Sequence, residues 1–105
     1  MRDEILRAYS LIDFMDILQE ECAELICACS KYKRCTGHGF KTEANIIDTV
    51  DNIVEEIADV ESALNAIKQL MNIDDDAIDK IIDEKEDRSI KRLSEGKENN
   101  GWKDS

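Results

Sequence analysis

A chain of 105 residues with a formal net charge of −11 is long enough for one domain that buries roughly two-thirds of its unfolded surface. It is too acidic to hold a bare nucleic-acid backbone, which takes basic patches that displace counterions. With no proline, only four glycines and an abundance of Ala, Ile, Leu, Glu, Lys and Asp, the composition favours helix over sheet, and an all-α fold is expected.

The first expected helix covers residues 3 to 9. Ser10 followed by Asp13 has the form of a capping box and opens a second, over 11 to 34. The glycines of "CTGHGF" (35 to 40) mark a loop, in which His38 between two glycines is expected to be exposed. A third helix begins near Thr42 or Glu43 and runs to about Met71. Asp74 can cap a fourth, from 75 to 94, that stops before Gly96. Its acidic start suits the helix dipole, and "DDDAIDKIIDEK" lacks the central glycine of a calcium loop. Residues 1–96 thus form one domain, and 97–105 a polar tail with Trp102 as its candidate anchor.

The N-terminus lacks the apolar run of a secretion signal, and no stretch approaches the roughly 20 apolar residues of a membrane span. A cytoplasmic protein with no membrane and no nucleic-acid polymer among its partners is expected. Cys22, Cys27, Cys29 and Cys35 are spaced C-x4-C-x-C-x5-C, which matches no zinc pattern. They are expected as reduced thiols, buried or half-buried.

The informative feature is the placement of acids. On a wheel turned by about 100° per residue, Phe14, Ile17, Leu18, Leu25 and Ala28 all lie within about 60° of Glu21, which therefore occupies the middle of an apolar stripe. Glu24 lies on the edge of that stripe, and Glu20 points away. On the third helix Val60, Ala63, Ile67 and Leu70 flank Glu56 in the same manner, with Asp59 on the edge. A solvated face is the ordinary place for one such pair. Two pairs, each centred on an apolar stripe, would gather four carboxylates between the helices. Burying an ion costs several kcal/mol and clustered like charges raise proton affinities. Glu21, Glu24, Glu56 and Asp59 are therefore candidate ligands and catalytic groups around divalent cations, Mg2+ or Mn2+ by the hardness of the oxygens.

The fourth helix supplies the opposite charge. Ile78 and Ile81 lie within about 60° of Lys85, and so do Arg88 and Arg92, so the apolar stripe runs on into a basic one suited to a phosphate chain. Pairing along the surface with Glu84, Asp87 and Glu95 is the alternative. Lys31, on the flank of Glu24, is a further candidate for substrate phosphates.

"EECAE" (Glu20 to Glu24) followed by "EIAD" (Glu56 to Asp59) resembles the EExxE…ExxD signature of the MazG-like nucleotide pyrophosphohydrolases, in the all-α NTP pyrophosphatase superfamily. "EECAELICACSKYKR" and "DEKEDRSIKRLSEG" are similar to the second-helix and Lys-x-x-Arg-x-x-x-Arg segments of its short single-domain members. The interval between Glu24 and Glu56 is longer than in the family pattern. The resemblance implies a Mg2+-dependent hydrolase that cleaves a nucleoside triphosphate between the α and β phosphates, giving a monophosphate and pyrophosphate. The four acids would hold metal and activate water, one of them or Glu20 orienting it, while Lys85, Arg88 and Arg92 stabilise the leaving pyrophosphate. Tyr9, Phe14, Asn52 and Trp102 are candidate base contacts.

Opposite the acids, Ile47, Val50, Val54 and Ile57 on the third helix, and Met15, Cys22 and Ile26 on the second, form further apolar faces. Two such faces on one helix need partners on both sides, so a homodimer or homotetramer built on a four-helix bundle is expected. The competing expectations are a non-enzymatic helical interaction protein and a nucleotide-binding sensor without turnover.

Overall fold

The computed structural model describes residues 1–39 and 45–96. The described residues form four helices and no strand: α1 (Asp3–Ala8), α2 (Leu11–Cys35), α3 (Ile46–Met71) and α4 (Asp75–Ser94). They divide into two compact units, Met1–Asn72 and the segment from Ile73 onward. None of these helices is long and apolar enough to cross a membrane.

Local chemistry sets the helix ends. At α2 the capping box is complete: the Ser10 hydroxyl accepts from the Asp13 amide at 3.1 Å, and the Asp13 carboxylate accepts from the Ser10 amide at 2.9 Å. Those bonds stabilise the charged form and hold the Asp13 carboxyl below its ordinary proton affinity. α3 starts at Ile46, later than the expected start near Thr42 or Glu43, two positions that lie outside the described residues. Asn45 is extended and its side-chain oxygen accepts from the Asp48 amide at 2.9 Å, so the cap sits at Asn45. The helix ends at Asn72, whose φ of 53° is a left-handed cap that asparagine tolerates. Asp74 caps α4 by accepting from the Asp76 amide at 3.0 Å. α4 closes where Gly96, at φ 70°, donates to the carbonyl of Leu93.

In the first unit α2 and α3 pack along their lengths. Phe14 clusters with Ala66 and Ile67, whereas Glu21, farther along α2, meets Glu56 and Asp59, earlier on α3. The helices therefore run antiparallel. Small side chains at the contact, Ala28, Ala63 and Ala66, are buried and let the backbones approach closely. Thr49 is buried too, and its hydroxyl donates to the Ile46 carbonyl at 2.8 Å, which removes the cost of an unpaired polar group. α1 closes one end, with Met1 and Leu6 packed against the Phe14 cluster beside Leu11, Met15, Ile17 and Leu18.

The wheel positions hold for most of both stripes, with three differences. Met15, assigned to a face opposite the acids, packs half-buried against the Phe14 cluster, because α1 and the start of α2 wrap that end of the pair. Leu70, assigned to the Glu56 stripe, is exposed, because α2 pairs with α3 only as far as its own start near Leu11. Cys27 and Cys29 are exposed rather than buried, while Cys22 and Cys35 are half-buried; none of the four forms a disulfide. Cys27 and Cys29 leave the seam because the stripe through Glu21 and Ala28 faces α3 and they flank it. α4, in the second unit, buries none of its residues.

Candidate metal centre

Antiparallel pairing at this register sets Glu21 and Glu24, one turn apart on α2, opposite Glu56 and Asp59, one turn apart on α3. Each of the four offers a carboxylate oxygen, and these oxygens all lie within 4.8 Å of one another. Glu21 and Glu56 are half-buried, and Glu24 and Asp59 are exposed, as expected for mid-stripe and edge positions. Glu21 Oε2 and Glu56 Oε2 are both buried with no hydrogen-bond partner.

The electrostatics follow from that crowding. Desolvation, then the charges of Glu24 and Asp59, push the Glu21 carboxyl up to about 7. Glu56 is raised as well, by desolvation first, then by hydrogen bonding to Glu24 and the charges of Glu24, Asp59 and Glu55. The charges that raise these two carboxyls are those of neighbouring acids. A protonated carboxyl or a cation resolves such a cluster. Four carboxylate oxygens this close together could hold one hard divalent cation. Four carboxylates with no sulfur or imidazole are a hard-cation donor set.

No family model, no curated protein and no solved structure matches the chain.

The other candidate residues are placed less closely. Asn52 is half-buried on α3, one turn before Glu56, and Lys31 is exposed on α2, about two turns beyond Glu24. Lys85, Arg88 and Arg92 are exposed on α4, in the second unit. His38 is exposed, with Nδ1 3.3 Å from the Thr36 hydroxyl oxygen. Trp102 and the tail 97–105 lie outside the described residues.

Beside the quartet is a cavity of about 220 Å³. Glu21 and Asp59 line it, with Phe14 and Ile17 from α2 and Ser62 and Ala63 from α3. Met1, Ile5 and Tyr9 complete it. Sequence reasoning singled out Tyr9, Phe14 and Ile17 but missed Met1, Ile5 and Ser62 as neighbours of the acids. A signal was present: Met1, Ile5 and Tyr9 recur every four residues, the spacing of one helical face.

Proposed function

We propose that the chain is a Mg2+-dependent nucleoside triphosphate pyrophosphohydrolase of MazG-like type, with Mn2+ as an alternative ion. The observation that carries this reading is the convergence of Glu21, Glu24, Glu56 and Asp59 from two helices, two of them with buried, unpartnered oxygens. An acid pair on a solvated face would leave no such oxygens. The residues fit a hard divalent cation, and these four side chains would hold it. Bound there, Mg2+ supplies charge neutralisation at phosphate oxygens and lowers the proton affinity of a coordinated water.

The chain's own groups then have separable tasks. The half-buried Glu21 and Glu56 anchor the site within the helix pair, while the exposed Glu24 and Asp59 stand where substrate and solvent arrive, one of them positioned to orient the attacking water. Water adds to the α phosphorus, and the bond to the bridging α,β oxygen breaks. The products are a nucleoside monophosphate and pyrophosphate. Lys85, Arg88 and Arg92, with Lys31, are the proposed counter-charge to the pyrophosphate, and Asn52 a substrate contact. No cysteine or serine nucleophile is needed.

The same reading includes assembly. Ile12, Ile26, Ile47 and Val54 are 63%, 68%, 70% and 61% exposed in the single chain, on faces of α2 and α3 turned away from the acid seam. A second copy covering them would complete a four-helix bundle as a homodimer or homotetramer.

Pyrophosphate release from a panel of nucleoside triphosphates, with and without Mg2+, tests the activity. Mg2+-dependent release that Glu56→Gln abolishes is the expected result. Stabilisation by Mg2+ without release would mark a nucleotide sensor, and neither effect would favour a helical interaction protein.

A further inference from the structure

The two sides of the α2 and α3 pair differ in chemistry. Glu24 and Asp59 meet, so the acid-bearing flanks of both stripes lie on one side of the pair. Leu18 and Leu25 on α2, and Ile53 and Val60 on α3, occupy the other flank of each stripe, within about 60° of Glu21 or Glu56. They therefore share the opposite side. Beyond them around the wheel lie Ile26 on α2 and Val50, Val54, Ile57 and Leu64 on α3, each between 40% and 68% exposed. A stable interface takes about 800 Å² from each partner, and apolar side chains this open supply much of it. A second copy offers the same apolar side in return, so the face is complementary to itself.

Along the seam, buried residues stand on either side of the quartet: Phe14, Ala63, Ala66 and Ile67 toward α1, and Ala28 and Thr49 toward the far end. At the level of the acids the apolar support, Leu25, Ile53 and Val60, is only half-buried. Four carboxylates with oxygens within 4.8 Å of one another repel there and press the helices apart. A cation would draw them together and fix the spacing of α2 and α3. A second copy laid across both helices would cover Leu25, Ile53 and Val60 and hold the same spacing from the apolar side, because close packing accepts one arrangement of the two rods. Resting on the metal and assembly readings above, we infer that the apolar side of the pair seats a second copy of this chain, and that seating it and binding the cation reinforce each other. Two events that favour the same closed arrangement tighten each other by one common factor.

Sedimentation velocity of the full chain over a dilution series, in millimolar Mg2+ and in NaCl of equal ionic strength, reads one half of the coupling. Self-association should be about tenfold tighter in Mg2+, and Glu56→Gln should remove the difference. A bound ion also cancels charge, so Asp79→Asn with Glu86→Gln, both exposed on α4, removes two charges elsewhere and should not reproduce the effect. Calorimetric titration with Mg2+ reads the other half. Val54→Glu, although it adds an acid, should weaken Mg2+ binding by about the same tenfold; if that variant loses helicity, the dilution series on the unmodified chain decides alone. Mg2+ that binds without shifting self-association, or a shift matched by the α4 variant, overturns the coupling alone. An unmodified chain that binds no Mg2+ overturns the metal reading. One that stays monomeric at every concentration overturns the assembly reading and leaves the apolar side to a different protein; the coupling falls with either.

Discussion

Glu21 on α2 and Glu56 on α3 each bury an Oε2 with no hydrogen-bond partner, and their carboxylates contribute to one set of oxygens within 4.8 Å. The two are the mid-stripe acids of their helices, so the contact that pairs α2 with α3 also forces them together. Packing and charge oppose each other at this point, and the proposed cation would remove the conflict.

Millimolar Mg2+ should therefore raise the melting temperature by several degrees more than an equal ionic strength of NaCl. A ligand bound only by the folded chain at 100 times its dissociation constant adds about 2.7 kcal/mol. Glu56→Gln should lose the gain. Melts followed by circular dichroism check this, and equal curves in Mg2+ and NaCl would remove the metal site.

Metal-free stability should depend on pH in a direction opposite to that of a salt-bridged acid. The folded state holds the Glu21 proton up to about 7, against an ordinary value of 4.5. Between those values the native chain binds more protons than the unfolded one, so stability falls as pH rises. Glu56, also raised, acts in the same direction. Asp13, lowered from 3.8, works the other way but only below this window. Melting temperatures in EDTA should thus decline from about pH 4.5 to about pH 7, and Glu21→Gln should flatten the decline. Mg2+ binds the deprotonated acids, so its stabilising effect should grow over the same range; a flat metal-free profile would contradict the crowding.

The exposed α3 face should govern assembly. Val54 is 61% exposed in the single chain, so Val54→Glu costs the isolated fold little while placing a charge in any interface built there. Analytical ultracentrifugation should show the unmodified protein as a dimer or tetramer and the variant as a smaller species of unchanged helicity. A monomeric unmodified protein would end the bundle proposal.

Phe14→Ala should cost about 3–5 kcal/mol, because this ring is only 3% exposed and packs on Ala66, Ile67 and Tyr9. Set against the roughly 5–15 kcal/mol of a small domain, that loss removes much of its stability. Urea denaturation measures it. Ala66→Leu, inserting volume where nothing is exposed, should cost about 1–3 kcal/mol by overpacking.

Much of this molecule was legible because it is helical and its signals are local. Ser10 with Asp13 marked the start of α2 and Asp74 that of α4, since a cap is a bond between residues two or three apart. The phase of Glu21 and Glu56 within their stripes followed from the helical period alone, and that phase was enough to expect the acids to meet. Asn45 was passed over because polar residues crowd the segment before α3, and several of them can cap. Leu70 was misassigned because the period says which face a residue occupies but not how far the partner helix extends.

The sequence by itself determined which segments coil and which side chains share a face, because both depend on neighbours within a turn or two. Tertiary structure alone decided the register that brings Glu21 and Glu24 against Glu56 and Asp59, the exposure of Cys27 and Cys29, and the cavity that joins Tyr9 and Ile5 to those acids. These depend on contacts between residues far apart in the chain, where the relative slide of two helices is set by packing around Phe14, Ala63 and Ala66 and leaves no periodic trace in the sequence.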